Sequence, residues 1–155
     1  MKKLNKITYV KGDATNPIGE GHKFIVHIVN DAGKWGAGFV LALSKKWDEP
    51  EKKYRSNKVH RLGRVEYVGV GDKDVTVVNM VAQHNTGIDE NGDIPLRYTA
   101  LVDCLRNVDE MCQIYGKPSS IHMPKIGSGL SGGNWEVIEQ IIRECTSVPV
   151  TVYEF

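Results

Sequence analysis

Two glycine-rich segments in this 155-residue chain have the residue types and spacing for anion chemistry. Asn30-Asp31-Ala32-Gly33-Lys34-Trp35-Gly36-Ala37-Gly38 runs into the apolar stretch Phe39-Val40-Leu41-Ala42-Leu43. Gly127-Ser128-Gly129-Leu130-Ser131-Gly132-Gly133 runs into Asn134-Trp135-Glu136-Val137-Ile138. Each segment lies between a strand-like stretch and a helix-like one. A chain that leaves a strand through glycines and opens a helix aims unpaired N–H groups, and the positive end of the helix dipole, at one point. Such a point holds an anion, commonly a phosphate. Glycine serves there because its missing Cβ lets a ligand reach the backbone. Two such turns predict a ligand with two adjacent phosphates, gripped from both sides.

Gly127-x-Gly129-x-x-Gly132 also spells the dinucleotide fingerprint, and Glu154 lies where a ribose-binding acid would follow it. The order of elements argues against that fold. A dinucleotide-binding domain opens with this unit and continues with further strands, whereas here only one strand follows. Pyrophosphate capture remains the expectation, without a nicotinamide cofactor.

The elements that must position these turns are legible from periodicity. Strands are expected at Ile7–Val10, Phe24–Val29, Arg64–Val70, Val75–Ala82, Ser120–Ile126 and Val148–Phe155. A helix is expected over Ala37–Trp47, with Ala37, Val40, Leu41, Ser44 and Trp47 on its inner face. A second starts at Pro95, carries Leu101, Cys104, Leu105, Val108, Met111, Cys112 and Tyr115 inward, and ends at Gly116. A third spans Trp135–Cys145, with Ile138, Ile141, Ile142 and Cys145 inward. Asp48–Arg61 is polar, broken by Pro50, with Tyr54 its only sizeable aromatic, and Asn85–Asp93 reads as a loop. Strands interspersed with helices predict one α/β domain over residues 1–155, a three-layer α/β/α sandwich with a mixed sheet. Ligands of such sheets sit beyond the carboxyl ends of the strands, where both glycine turns fall.

Composition narrows the partners. A hydrophobic content of 41%, a charged content of 25% and a net charge of +1 fit an ordinary globular protein and give no bulk pull towards nucleic acid or membrane. Three widely spaced cysteines (Cys104, Cys112, Cys145) without a CxxC read as free thiols on apolar helix faces in a reducing compartment. No apolar signal-peptide core follows Met1-Lys2-Lys3. A cytoplasmic protein is expected, with no cofactor and no metal.

Three motifs together carry a family resemblance. Gly12-Asp13-Ala14-Thr15, the stretch His27-Ile28-Val29-Asn30-Asp31 through Gly36-Ala37-Gly38, and Met123-Pro124-Lys125-Ile126-Gly127-Ser128-Gly129-Leu130 occur in the order and spacing of a macrodomain. The chain most resembles the branch that holds terminal ADP-ribose protein glycohydrolase and small bacterial proteins of the ADP-ribose 1''-phosphate processing type. The resemblance implies an ADP-ribose cleft, with free ADP-ribose or an ADP-ribosylated macromolecule as partner.

By that resemblance Asp13, beside Ala14, accepts a hydrogen bond from the adenine amino group; an Asx turn is its alternative. Trp35, Gly36, Ala37 and Gly38 flank one side of the diphosphate and the distal ribose. Gly127, Ser128, Gly129, Leu130 and Ser131 cradle the other side. Phe155 packs on the adenine face, in preference to Tyr153. The glycohydrolase of this branch uses a lysine from the strand matching Val75–Gln83 and an aspartate after its GxGL turn. Here those positions read Ala82-Gln83-His84 and Ser131.

What remains beside the distal ribose is Asn30, Asp31, Gln83 and His84. Asp31 is expected to activate a water for attack at the anomeric carbon, Asn30 or Gln83 to hold ribose hydroxyls, and His84 to protonate a leaving group. Each has a plainer alternative as a loop cap or solvated residue. His27 and His122, inside strands, read as satisfied core residues, and His22 and His60 as loop residues. Lys45–Arg61 carries seven basic residues against three acids, a solvated face on the simplest reading. The expected function is binding of ADP-ribose and hydrolysis of a derivative: an ADP-ribosyl ester, O-acetyl-ADP-ribose or ADP-ribose 1''-phosphate. The alternative is a reader module without chemistry.

Overall fold

The computed structural model describes residues 3–115 and 118–155. Gly116, expected to end a helix, and the amino-terminal Met1-Lys2 lie outside them. The elements in chain order are β1 (Ile7–Lys11), β2 (His22–Asn30), α1 (Phe39–Lys46), α2 (Glu49–Ser56), β3 (Val65–Gly69), β4 (Val75–Gln83), α3 (Tyr98–Tyr115), β5 (Ser119–Pro124), α4 (Trp135–Cys145) and β6 (Val150–Glu154). The six strands form one sheet in the order β1-β6-β5-β2-β4-β3. Every neighbouring pair is parallel except β3 with β4, so the sheet is mixed.

The central strands read as unbroken apolar runs because both sheet faces are covered. On one face Phe24, Val26, Val78, Met80, Ile121 and Val152 pack against Leu101, Leu105 and Val108 of α3 and Ile138 and Ile142 of α4. On the other Ile25, Val29, Val77 and Val81 pack against Trp35, Val40, Leu43, Trp47 and Tyr54. These two cores make the three-layer α/β/α arrangement.

Three local readings need correction. The polar stretch after Asp48 contains the helix α2. It buries only Pro50 and Tyr54, one i, i+4 pair, so its hydrophobic stripe is too narrow to register as a period. Pro50 sits in its first turn, where a missing N–H costs nothing. In α1 the inner face carries Val40 and Leu43, while Leu41 is 58% exposed. Residues 41 and 43 stand about 200° apart on a helix, so only one can face the sheet. In the helix after Pro95 regular structure starts at Tyr98, because Leu96 bridges to Gln83 and the Pro95 carbonyl accepts from His84 N–H at 2.8 Å.

Two histidines are built into these cores. His122 on β5 sits between Ser120 Oγ and Tyr153 Oη, each 2.7 Å away, and Tyr153 Oη accepts from Ile18 N–H at 3.0 Å. His27 on β2 meets Asn79 Oδ1 on β4 at 2.5 Å. Burial holds both imidazoles down at about 4, against an ordinary 6.5, so both are neutral in the fold. The unfolded chain takes up protons at these sites below about pH 6.5. Their contribution is therefore complete above pH 6.5 and is lost as pH falls towards 4, by about 2 kcal/mol per histidine at pH 5. Urea unfolding at pH 7 and pH 5 reads this directly. A lower midpoint at pH 5 is expected, and an unchanged midpoint would contradict it.

Candidate ligand-binding cleft

The carboxyl ends of β2, β4 and β5 open into a cleft of about 760 Å³. Its walls are the two glycine segments: Lys34–Val40 on one side and Gly127, Gly129, Leu130 and Ser131 on the other, with Gln83, Thr86 and Gly87 closing one end. Among the described residues, the N–H groups of Gly36, Ala37 and Gly38 carry no hydrogen bond to another protein group. The same holds for those of Ser128, Gly129, Leu130 and Ser131. Helix α1 starts directly after the first set.

The first loop takes its shape from Asn30. β2 and β4 run in register until a bulge between Val29 and Asn30 places Asn30 opposite Gln83. Asn30 Oδ1 then accepts from Ala32 N–H at 3.0 Å and Lys34 N–H at 3.1 Å, and Nδ2 donates to the Lys34 carbonyl at 2.6 Å. From α2, Tyr54 Oη donates to the Asn30 carbonyl at 2.6 Å and lies 2.9 Å from Oδ1. Burial pushes the Tyr54 phenol up to about 12, so it stays a donor. Asn30, expected to hold a ribose hydroxyl, thus spends its carbonyl oxygen on the loop and keeps one N–H. Trp35 is fixed beside it by Nε1–H donating to Ser44 Oγ at 2.7 Å. The turn closes at Gly38, the N-cap of α1, whose φ of +82° L side chains rarely adopt.

The second loop is pinned from beneath. A Cβ at Gly133 would lie 2.3 Å from Leu96 Cδ2 and 2.6 Å from the Gly127 carbonyl, so only glycine permits this close approach. Ser131 Oγ donates to Gln83 Oε1 at 2.5 Å, tying the loop after β5 to the end of β4. Asn134 caps α4 by accepting from Glu136 N–H at 2.9 Å.

The sequence-derived candidates fall into three groups. Asn30, Trp35, Gly36, Ala37, Gly38, Gln83, Gly127, Gly129, Leu130 and Ser131 line the cleft. Asp31 and His84 stand just outside it as a pair, Oδ2 to Nδ1 2.7 Å, while Asp31 Oδ1 accepts from Asn85 N–H at 2.7 Å. Asn85 has a φ of +55°, the one positive value at a non-glycine among the described residues. Gln83 Nε2 donates to the Asn85 carbonyl at 2.9 Å, so Asp31 and Gln83 both hold the residue that follows His84.

The third group lies apart from the cleft walls. Asp13 Oδ1 accepts from Thr15 N–H at 2.9 Å and Thr15 Oγ at 2.8 Å, which is the Asx turn, and leaves Oδ2 uncommitted. Ala14 is buried behind it. Ser128 turns back to the Lys125 carbonyl. Phe155 stands 99% exposed, whereas Tyr153 is buried against His122.

Sequence reasoning missed Tyr54, because its helix was not visible, and the cleft-lining Phe39 and Lys125. The three cysteines are buried, and burial pushes Cys104 and Cys112 up to about 12, which removes them as nucleophiles.

This is a mixed α/β sheet whose carboxyl-end cleft is walled by two N–H-donating loops. The chain belongs to the macrodomain family. It is 39% identical to a macrodomain protein from Streptomyces coelicolor, over 97% of this chain and 99% of that one, with a TM-score of 0.81. It is 48% identical to a protein of unknown function from Bacteroides thetaiotaomicron, over 97% of this chain and 98% of that one, with a TM-score of 0.92. No protein-family model matches the chain. Among curated relatives, Chromodomain-helicase-DNA-binding protein 1-like from Danio rerio is 34% identical over 89% of this chain. The chain spans only 14% of that relative's length and 18% of its Mus musculus counterpart's. An ADP-ribose 1''-phosphate phosphatase from Candida albicans is 26% identical over 95% of this chain and 98% of its own length.

Tyr54 gives the cleft its most direct test. Tyr54→Phe removes the donor to Asn30 and leaves a buried carbonyl short of a partner. It is expected to cost about 1–2 kcal/mol of stability and to broaden the backbone amide signals of residues 31–38. Amide spectra unchanged from the parent would show that the loop holds its shape without Tyr54.

Proposed function

We propose that the cleft binds ADP-ribose through its diphosphate and that the protein hydrolyses an ADP-ribose derivative at the ribose end. The observation that carries the first half is the pair of facing loops whose N–H groups have no protein acceptor. Six such donors on residues that line one cleft, beside the amino terminus of α1, complement two adjacent phosphates. Lys34 and Lys125 line the same cleft and add positive charge. The name of the phosphatase from Candida albicans, a relative matched over nearly its whole length, makes ADP-ribose 1''-phosphate the first derivative to try.

For the chemistry, the Asp31–His84 pair is the proton-transfer unit. Asp31, by accepting from Nδ1–H, leaves the lone pair of His84 on Nε2, where it can take a proton from water or return one to a leaving group. Gln83 and Ser131 hold the loop ends around that point. The reader alternative has its own support: both Asp31 oxygens already accept hydrogen bonds, and the Gln83 amide is committed to Ser131 and Asn85. Turnover decides between them.

Calorimetry is expected to give saturable ADP-ribose binding in the micromolar range, about 8 kcal/mol, with AMP much weaker because it lacks the second phosphate. Equal affinity for the two would remove the two-loop clamp. Gly129→Glu, which sets a carboxylate among the donors, is expected to abolish binding with the melting temperature retained. Incubation with ADP-ribose 1''-phosphate is expected to release inorganic phosphate, about 10²-fold more slowly in Asp31→Ala at similar ADP-ribose affinity. Binding without release from this or the ester substrates would make the protein a reader.

A further inference from the structure

The net charge of +1 conceals a segregation of charge. Residues 45–66 carry eight bases against four acids, so the rest of the chain sums to −3. All eight bases are exposed. Among the described residues Arg55 is the one with an ion-pair partner, Glu51 at 2.8 Å, and Lys46 donates to the Thr15 carbonyl. Lys45, Lys52, Lys53, Lys58, Arg61 and Arg64 have no acid within ion-pair distance among those residues. The acids add little outward charge to offset them. Glu51 is spent on Arg55, and Glu66 accepts at 3.2 Å from Nδ2 of the fully buried Asn79.

The topology sets this surface beside the cleft. β3 runs antiparallel to β4, with Val65 opposite Met80. Gly63 N–H donates to the Val81 carbonyl at 2.8 Å, and Val81 N–H to the Arg64 carbonyl at 2.9 Å. Residues 57–64 therefore lie at the carboxyl end of β4, where Gln83 and His84 follow. His60 stacks on Tyr54, with centroids 4.1 Å apart, and a Cβ on Gly33 would lie 3.9 Å from its Cδ2. The basic segment thus backs the loop that carries Asp31, and from there the bases continue over α2. That helix buries Pro50 and Tyr54, and Lys52, about 200° round from Pro50, stands on its outer side.

The make-up of the surface selects its partner. Unpaired cations this close in sequence repel one another, and an anionic partner relieves that. Val59 and Leu62 are the large apolar residues exposed among them. A protein interface is built on an apolar or aromatic core and is poor in lysine. A lipid surface takes a helix with an apolar face, and the outer side of α2 has none. A phosphodiester backbone needs only cations. We propose that the surface of α2 and residues 57–64 docks the backbone of a nucleic acid strand. Resting on the reading of the cleft as an ADP-ribose site, the proposal adds that the macromolecule presenting its ADP-ribosyl group there is a nucleic acid.

Fluorescence anisotropy with labelled single-stranded oligonucleotides, one deoxyribo and one ribo, both free of ADP-ribose, tests the docking. Saturable binding is expected, its logarithm falling linearly with log salt by about 0.7 per phosphate contacted. Lys58→Gln with Arg61→Gln is expected to bind more weakly and to flatten that slope by about 1.4, two contacts' worth. The same charge change at the amino ends of the strands, Lys6→Gln with Lys73→Gln, is expected to leave the slope unchanged. Saturating ADP-ribose is expected not to displace either oligonucleotide. In the ¹⁵N-labelled parent, which needs no variant to fold, the oligonucleotide is expected to shift the amides of residues 52–64. No oligonucleotide binding, equal loss in both variant pairs, displacement by ADP-ribose, or polyglutamate binding as tightly would each overturn the proposal. Calorimetry with ADP-ribose on the same parent protein reads the cleft separately, so either reading can fail while the other stands.

Discussion

Asn30 closes β2 with its side chain turned into the chain that follows. Its Oδ1 accepts from the loop amides of Ala32 and Lys34, its Nδ2 donates to the Lys34 carbonyl, and the Tyr54 hydroxyl bonds its backbone oxygen from the helix layer. These contacts convert a bulge at a strand end into a turn of fixed shape. The loop that walls the cleft hangs from that turn. Without it, residues 31–38 would have to hold their shape by backbone preference alone, at about 1–2 kcal/mol of conformational entropy per residue. The rest of the core on that face serves this point: Trp35, Leu43 and Val40 seat α1, and α2 delivers Tyr54.

The second wall depends on the first through the sheet. Gln83 is register partner to Asn30, and its amide oxygen takes the Ser131 hydroxyl, so the two loops share one reference frame about the ends of β2 and β4. Asn85, held by Asp31 and Gln83 in a left-handed conformation, carries that frame to the loop bearing Thr86 and Gly87. Strained backbone held this firmly beside a cleft fits a site assembled before its ligand arrives. On the proposed diphosphate reading, donors preset in this way would lose little entropy on binding.

Much of this was legible in the residues. The six strands and α4 follow from apolar runs and three-four spacing, and the glycine turns from their place between strand and helix. The family resemblance came from three motifs in order. What stayed hidden depended on tertiary partners. Tyr54 lies on a helix with a two-residue stripe, so nothing local marks it as the support of a loop 24 residues earlier. Asn30 and Gln83 have amides suited to sugar hydroxyls, but the fold turns most of their hydrogen-bonding capacity inward. Phe155 and Tyr153 differ by two positions, and only the packing of Tyr153 on His122 shows which one β6 buries.

On the proposed function, both loops hold one diphosphate ligand together. Titration of ¹⁵N-labelled protein with ADP-ribose, following the backbone amides, tests it most directly. Large shifts are expected at Gly36, Ala37 and Gly38 and at Ser128, Gly129, Leu130 and Ser131, all saturating along one binding curve. Shifts confined to one loop, or two loops saturating at different ligand concentrations, would contradict it.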